Sequence, residues 1–335
     1  VPGPVCYRAG GTEPTLTDAN LLLGYLNPGA LLGGALPIDR RHAAEVFQAR
    51  VAQPLGLDVL AAAHGVHRIG VANMVRVVKA VSSERGRDPR GFALVAFGGN
   101  GPVHAALVAS ELGIRRVVVP RWPGLFSAFG LLHADLTHHF SRTLLRPTRA
   151  LSAADVEQVF QELEALARTT LAHEGYHGDR VHIARAVDLR YVGQSFELRL
   201  PLESGPLTEG LLRDLDRRFG AEHERTYGHR ADDDPVELVN VRVTATGLSD
   251  RDRAPAQPEV RDREGASFPS RRSAYFGPEV GLIETPVLGR WDVGSAPMGG
   301  PVIVEEYDAT TVVPPGWTVR RDASGNLILE LGGAQ

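Results

Sequence analysis

The stretch "LVAFGGNGPVHAAL", residues 94–107, decides the fold class of this 335-residue chain. A short apolar run leads into a Gly-Gly pair, and Gly101-Pro102 then opens a segment with helical spacing. Proline fits the first helical turn, where its missing N–H would have no partner. A second apolar run, "RRVVVP" at 115–120, follows this helix. The order strand, glycine turn, helix, strand predicts an α/β domain with at least partly parallel pairing and with both strands buried on both faces.

The turn formed by Gly98, Gly99, Asn100 and Gly101 is a candidate ligand site. The absent Cβ atoms allow a ring or a phosphate to approach the backbone, and the helix N-terminus favours anions. A close strand-to-helix turn without a ligand is the alternative interpretation. His104, in the first turns of the helix, is a candidate acid–base group or ligand, and a histidine packed for structural reasons is its alternative.

Two common nucleotide motifs do not fit this turn. A dinucleotide-binding G-x-G-x-x-G would place its third glycine where His104 stands, and the next strand ends in Pro120-Arg121 where that fold carries a ribose-binding acid. The chain also lacks G-x-x-x-x-G-K-[ST], so it has no P-loop of the usual form. A single cysteine and no G-x-S-x-G give no sign of a Cys–His nucleophile or a hydrolase elbow.

The composition, with 43% hydrophobic and 23% charged residues, is ordinary for a globular protein, and its length suffices for two domains. The net charge of -4 gives no reason to expect nucleic acid as a partner. No apolar window is long enough for a membrane span, and no signal peptide is visible. The lone Cys6 fits a reducing compartment, so we expect a cytoplasmic protein.

Two consecutive domains are expected, an α/β part over 1–147 and a mixed α+β part over 148–335. Helices are predicted to start after Asp39, Asp58 and Ser152, the first of them ending at Pro54. The segment 187–200 alternates with a slipped phase, which predicts a bulge near Gly193. Residues 249–272 are charged and proline-containing, typical of an exposed loop, and the remainder suggests a small β-rich cap.

The segment "GGTEPTLTD", residues 10–18, imitates a phosphate loop. No buried strand precedes it, so we expect its glycines to make a turn and Thr17 or Asp18 to cap the next helix. The alternative is that this segment faces a catalytic cleft. In that case Asp18 is a candidate catalytic residue, and Gly11 and Thr12 are candidate cleft-lining residues.

Histidines at 133, 138 and 139 make this part of the chain a weak candidate for a metal site. Neighbouring His138 and His139 on a strand point to opposite faces, so at most one of them can join His133 as a ligand. No defined ligand spacing is present, and ordinary polar contacts are the alternative.

Four ordered segments carry a resemblance that spans nearly the whole chain. They are "GPVCYRAGGTEPTLTDANLLLGYL" (3–26), "AFGGNGPVHAAL" (96–107), "VVVPRWPGLFSAFGLL" (117–132) and "GPVIVEEYDATTVVPPGW" (300–317). Together they resemble the hydantoinase/oxoprolinase family, in its α-subunit type. The resemblance implies an α/β fold of the actin/Hsp70/sugar-kinase (ribonuclease H-like) kind, with ATP between two lobes and an adenosine motif that maps onto Phe97, Gly98, Gly99, Asn100 and Gly101.

The resemblance further implies an ATP-dependent cyclic amidase, such as an N-methylhydantoinase or a 5-oxoprolinase, that acts on a small cyclic amide with Mg²⁺ and a second, hydantoinase B-type subunit. The family's Asp-x-Gly-Gly-Thr-x-Thr-Asp phosphate loop is absent from this sequence. The chain therefore looks like the C-terminal half of a subunit, and the phosphate and Mg²⁺ contacts would come from an N-terminal half. A piece of an acetone-type ketone carboxylase and a non-catalytic complementing fragment are the other two hypotheses.

Overall fold

A computed structural model describes residues 3–203, 205–249 and 271–332, which form two compact units. The first unit contains 3–130 and 271–332, and the second contains 131–203 and 205–249. These units do not follow the consecutive ranges 1–147 and 148–335, because the chain returns to the first unit at its end. The predicted loop 249–272 lies mostly outside the described residues, although Arg271 and Arg272, expected in that loop, begin a strand.

The helices begin and end largely where the sequence signals place them. The side chains of Asp39, Asp58 and Ser152 each accept a backbone N–H at a helix start, as predicted. The helix expected to end at Pro54 instead continues to Leu55 through a π-helical segment. The α-helices are α1 (Leu16–Leu22), α2 (Arg40–Phe47), α3 (Gln53–Leu55), α4 (Val59–Val81), α5 (Gly101–Leu112), α6 (Phe126–His133), α7 (Ala153–His173) and α8 (Glu209–Tyr227).

The strands form four sheets among the described residues. They are β1 (Ala30–Leu31), β2 (Leu36–Pro37), β3 (Leu94–Val95), β4 (Arg116–Val119), β5 (Leu136–Pro147), β6 (Val181–Tyr191), β7 (Leu198–Pro201), β8 (Val236–Gly247), β9 (Arg271–Tyr275), β10 (Leu282–Gly289), β11 (Met298–Gly299), β12 (Val302–Glu305), β13 (Thr310–Val313), β14 (Trp317–Arg321) and β15 (Leu327–Leu331).

A five-stranded sheet in the order β11-β14-β15-β4-β3 forms the centre of the first unit. β3 and β4 are parallel, which confirms the pairing expected for the segment around the glycine turn. β15 pairs antiparallel with β4, placing Leu329 opposite Val117. The C-terminal strands were expected to form a separate cap. Three of them, β11, β14 and β15, instead complete this sheet, because the apolar β4 needs a hydrogen-bonded neighbour on each side.

The strand β3 is an edge strand, which corrects the expectation that it is buried on both faces. Val95 is 49% exposed and Phe97, just after the strand, is 45% exposed. In contrast, Val117 and Val119 of β4 are fully buried. A continuous apolar run is typical both of a central strand and of an edge strand with exposed apolar side chains, so the sequence could not distinguish the two positions.

The second sheet of the first unit has the order β13-β12-β10-β9 and carries helices α1, α2 and α4 on its core side. Four residues of this core are no more than 1% exposed: Leu21, Phe47, Ala63 and Ile303. Residues separated by more than two hundred positions thus share one core. The late strands and the early helices therefore stabilise the unit only together.

The second unit is an antiparallel sheet, β5-β8-β6-β7, covered by α7 and α8. Burial alternates along β8, since Val241, Val243 and Ala245 are buried and the residues between them are partly exposed. On α7, Leu166 is exposed, and Ala167 takes the core position. The phase slip near Gly193 is the turn of a hairpin between β6 and β7 rather than a bulge within one strand.

Candidate functional site

A cavity of about 640 Å³ lies in the first unit beside the glycine turn between β3 and α5. Gly99 and Asn100 form one wall, and residues after α1, among them Asn27 and Gly33, form another. The turn between β12 and β13 closes the remaining side. Since β3 and β4 are parallel, their carboxyl ends share one edge of the sheet, where ligands bind in open α/β sheets.

The glycine turn has the backbone geometry that its sequence predicts. Gly98 has a φ of 81°, a left-handed conformation that favours glycine, and its N–H donates to the carbonyl of Pro123 at 2.7 Å. A Cβ on Gly99 would lie 3.0 Å from the carbonyl oxygen of Asp308. Gly99 and Asn100 line the cavity directly, while Gly98 and Gly101 flank them.

The turn between β12 and β13, residues 306–309, packs against three glycines, where the absence of a side chain leaves room for it. A Cβ on Gly33 would lie 2.8 Å from the ring of Tyr307, and one on Gly124 would lie 2.6 Å from a carboxylate oxygen of Asp308. Gly99 is the third close neighbour. No motif in the sequence marks Tyr307 or Asp308 as a site residue. Their only signal was the family-like segment 300–317, in which nothing singled out one acid among three.

The three acids of that segment have different surroundings. Glu305 is buried and accepts from Arg272 at 2.6 Å and from Asn27 at 3.2 Å. Glu306 accepts from both Nε and Nη2 of Arg290, at 2.6 and 2.8 Å. Asp308 differs, because its Oδ2 is buried and accepts no hydrogen bond within the described residues. Two of the acids therefore serve structure, and the third, which lines the cavity, has one buried oxygen without a partner in the described residues.

The Asp18 carboxylate is fully buried beside the start of α1. It accepts from the backbone N–H groups of Val5, Cys6 and Thr15 and from the Thr15 hydroxyl, at 2.8 to 3.2 Å. Thr15, and not Thr17 or Asp18, is the N-cap, and Asp18 is its partner in a capping box. The catalytic role of Asp18 stays a prediction, and these four hydrogen bonds favour a structural role.

Gly11 and Thr12 lie away from the 640 Å³ cavity. They line a separate depression of about 320 Å³ together with His42, Glu45 and Arg50. A Cβ on Gly11 would clash with the carbonyl oxygen of Gly3, so the glycine is required by local packing. Thr17, five residues later, is the member of this segment that does reach the main cavity.

His104 is buried in α5 and does not line the 640 Å³ cavity. Its Nε2 lies 3.3 Å from Asn20 Nδ2, while Asn20 Oδ1 lies 2.7 Å from His67 Nδ1. The two rings stack with centroids 4.7 Å apart. The amide orientation makes Nε2 of His104 an acceptor, so this imidazole is neutral, and it makes Nδ1 of His67 a donor.

Burial lowers the pKa of His104 to about 4, and burial together with the neighbouring His104 lowers the pKa of His67 to about 3. A group this buried does not exchange protons with a substrate in the cavity unless the fold opens. The predicted acid–base role of His104 is therefore not part of the function proposed below.

The metal-site candidates His133 and His138 are not brought together with further ligands. His138 Nε2 lies 2.8 Å from Glu174 Oε2, and the neighbouring His139 contacts the Thr244 hydroxyl at 3.1 Å. Over residues 3–203, 205–249 and 271–332, no group of three or more His, Cys, Asp or Glu side chains could hold a metal ion. His138 and His139 thus make ordinary polar contacts, which were the alternative to a metal site.

None of the helices in the described part of the chain is long and apolar enough to cross a membrane.

Comparison with protein-family models gives two matches that together cover almost all of the chain. The hydantoinase/oxoprolinase model matches residues 1–140, and the hydantoinase/oxoprolinase C-terminal domain model matches residues 146–331. Both the glycine turn and Asp308 therefore lie in matched regions.

Individual relatives agree with these matches. The chain is 35% identical to the caprolactamase subunit alpha of Pseudomonas jessenii over 99% of its own length and 48% of that protein. It is 32% identical to the acetophenone carboxylase gamma subunit of Aromatoleum aromaticum over 98% of its own length and 46% of that protein. The chain thus spans about half the length of these relatives.

A solved structure also resembles this chain. The crystal structure of the ATP-dependent caprolactamase from Pseudomonas jessenii superposes with a TM-score of 0.77, at 34% identity over 99% of this chain and 48% of that one.

Proposed function

Because the chain belongs to the hydantoinase/oxoprolinase family, we propose that it supplies the adenosine side of the nucleotide site in an ATP-dependent enzyme that hydrolyses a cyclic amide. The observation that carries this proposal is the 640 Å³ cavity lined by Gly99 and Asn100 at the carboxyl edge of two parallel strands. Its volume lies in the range of small-molecule and cofactor sites. The ATP-dependent caprolactamase that the chain resembles supports the same nucleotide.

The described residues offer a surface for the nucleoside but no cluster of side chains that would hold the Mg²⁺ of the triphosphate. The glycine turn lets a flat base approach the backbone, and the N-terminus of α5 favours a partial negative charge nearby. No group of three potential metal ligands is present in the part of the chain that the structure describes. We therefore assign the Mg²⁺ and γ-phosphate contacts to an N-terminal half, as in an actin-like fold with ATP between two lobes.

The chemistry of the reaction follows from the stability of an amide. ATP, when bound, would supply a phosphoryl group to the amide oxygen, which would activate the amide carbon towards attack by water. The residues of this chain contribute by holding the nucleoside in one orientation, which lowers the entropic part of the barrier. Gly99 and Asn100 do this through the backbone, so their role depends on shape rather than on an ionisable side chain.

The edge strand β3 favours a partner for the first unit. Phe92, Val95 and Phe97 expose 45 to 57% of their surface along this edge, beyond which the sheet has no further strand among the described residues. Unpaired strand edges with apolar side chains are sites of association. We propose that the N-terminal half of the subunit covers β3, and that a hydantoinase B-type second subunit completes the enzyme.

Co-purification tests the proposal about β3. The chain should bind the N-terminal half of a related α subunit, and Val95→Lys should abolish this binding by placing a charge in the apolar contact. The exposed Val77→Lys on α4 is the control, because it adds the same charge elsewhere. Equal binding by the two variants would place the partner on another surface.

Calorimetric titration with adenosine and with ATP·Mg²⁺ tests the nucleotide site. The wild-type chain should bind both weakly and with similar affinity, since its described residues contact the nucleoside side alone. Gly99→Val should weaken adenosine binding at least about tenfold, because the added methyl groups project towards Asp308 and the cavity. Gly65→Val, at an open helical position, is the matched control and should leave the affinity unchanged.

Two results would contradict the nucleotide proposal. Unchanged affinity in Gly99→Val would show that the glycine turn is not the site. Micromolar binding of ATP·Mg²⁺, much tighter than that of adenosine, would show that the phosphate contacts do not depend on another half.

A ketone carboxylase is the second candidate function, favoured by the similarity to the acetophenone carboxylase gamma subunit. The two candidates share the nucleotide site and differ in the substrate that becomes activated. ATP hydrolysis by the complete complex distinguishes them. Stimulation by caprolactam, hydantoin or 5-oxoproline supports the amidase, whereas stimulation by acetone or acetophenone with bicarbonate supports the carboxylase.

A further inference from the structure

Asp308, which lines the cavity, has one carboxylate oxygen without a partner in the described residues and is held close to two glycine-containing turns. Asp308 Oδ2 is buried without a hydrogen bond within the described residues. The Asp308 side chain packs where a Cβ on Gly124 would lie, and its backbone carbonyl packs where a Cβ on Gly99 would lie. Any side chain at Gly124 would displace the carboxylate, so the backbone there is shaped around Asp308.

Asp308 supplies an acid beside the end of β4, where the chain itself continues as Pro120-Arg121. The glycine turn does not match a dinucleotide-binding motif, but an acid at the corresponding place in those folds binds the ribose. Gly124 lies just beyond the same strand, β4, and Asp308 packs directly against it. The turn between β12 and β13 thus places an acid beside the end of this strand.

We infer that Asp308 accepts hydrogen bonds from the ribose hydroxyls of the nucleoside and so selects a ribonucleoside. An ionised carboxylate is an acceptor only, so its ligand must present donors. The two neighbouring ribose hydroxyls offer a pair of donors that a single carboxylate accepts together. This inference rests on the proposed nucleotide site and adds to it a residue that determines specificity.

The neighbouring acids explain why Asp308 alone is available for this role. Glu305 and Glu306 are held in ion pairs with Arg272 and Arg290, so their oxygens already have donors. Leaving a polar atom buried and unpaired destabilises a folded protein. A ligand hydroxyl that pairs with Oδ2 removes this penalty on binding.

A comparison of two nucleosides on two proteins tests the inference. The wild-type chain should bind adenosine at least about tenfold more tightly than 2′,3′-dideoxyadenosine, the ratio expected for a hydrogen bond to a charged acceptor. Asp308→Ala should bind the two nucleosides with equal, weakened affinity. Purine riboside, which lacks the 6-amino group, should show the same loss in the variant as adenosine.

A second substitution tests the same geometry without removing the carboxylate. Gly124→Ala should reduce the ratio between the two nucleosides by displacing Asp308. Glu279→Ala removes an exposed carboxylate from the same unit, outside the 640 Å³ cavity, and should retain the full ratio. This control separates a local hydrogen bond from a general effect of net charge.

The possible failures are distinguishable. If Gly99→Val weakens adenosine binding but Asp308→Ala keeps the wild-type ratio, the nucleotide site stands and the role of Asp308 is wrong. A loss confined to nucleosides with the 6-amino group would also overturn it, since Asp308 would then contact the base. If the wild-type chain binds no nucleoside, both proposals fall.

Discussion

The two units differ in whether their buried polar groups have hydrogen-bond partners. In the second unit, the buried Asp188 carboxylate accepts from Arg199, Asn240 and Arg242. In the first unit, several buried polar atoms have no hydrogen-bond partner within the protein. Among the described residues, all five such atoms belong to the first unit: His67 Nε2, His104 Nδ1, Arg121 Nε, Asp308 Oδ2 and Thr311 Oγ1.

This difference indicates where function lies. Buried polar groups in folded proteins are normally paired, so each exception calls for an explanation. Proteins tolerate destabilised groups at sites where a ligand supplies what the fold does not. In the described part of the second unit the buried side-chain polar atoms have partners, whereas the first unit, with the cavity, keeps unused hydrogen-bonding capacity.

The largest expected effect concerns the paired charges of the second unit. Arg185 donates to Glu157 at 2.7 and 3.1 Å and to Glu164 at 2.6 Å, and its side chain lies over the Phe160 ring. The Arg185 hydrogen bonds hold the pKa of the Glu157 carboxyl below its usual range. Arg185→Met should lower the free energy of unfolding by about 3–4 kcal/mol, because two largely buried carboxylates would lose their partner.

Urea denaturation combined with hydrogen exchange by region measures this effect and locates it. Arg199→Met is the control, because this arginine is 57% exposed and its pairing should contribute less than about 1 kcal/mol. Equal losses in the two variants would show that burial does not distinguish these ion pairs, which would weaken the contrast between the units.

The second effect is a loss of stability in acid that belongs to the first unit. His67 and His104 have pKa values lowered to about 3 and about 4, below the value of about 6.5 expected in the unfolded chain. Between these values the unfolded state binds protons that the folded state does not bind, so stability falls as the pH drops below about 6.5. From pH 7 to pH 5.5 the two histidines together should remove about 2–3 kcal/mol.

Denaturation of the first unit at several pH values measures this slope. His67→Gln/His104→Gln should flatten it between pH 7 and 5.5, since glutamine does not titrate there. His182→Gln, at an exposed position in β6, should leave it unchanged. A slope that persists in the double variant would assign the acid sensitivity to other groups.

The smallest effect is expected where buried polar atoms are unpaired. Asp308→Ala and Thr311→Val each remove an unpaired atom, so the free energy of unfolding should stay unchanged or rise by up to about 1 kcal/mol. Thermal unfolding without ligand measures both. A loss of more than about 1 kcal/mol in either variant would show that the atom has a partner in solution, such as a buried water.

Local signals in the sequence were reliable where neighbouring residues decide the conformation. Asp39, Asp58 and Ser152 cap helices as predicted, and Gly98 takes the positive φ that its turn requires. The apolar run after Phe92 predicted a strand but not its position at the sheet edge. The hairpin at Gly193 was misinterpreted as a bulge, because both produce the same change of alternation.

Some residues of the candidate site could be predicted from local sequence, whereas the position of others depends on the fold. The glycine turn was found from its own residues, and Gly99 and Asn100 do line the cavity. Gly11 and Thr12 line another depression, and His104 is packed behind the cavity in contact with Asn20. These candidates were chosen by residue type, which does not reveal the direction a side chain faces.

The sequence by itself determined the family, the mixed α/β class and the glycine turn, because each depends on order and spacing along the chain. Only the tertiary structure decided that the C-terminal strands complete the first unit and that Asp308 lines the cavity while Asp18 does not. The physical reason is that pairing across a sheet joins residues far apart in the chain. The partners of a buried carboxylate are therefore fixed by which strands meet, and no local pattern records that.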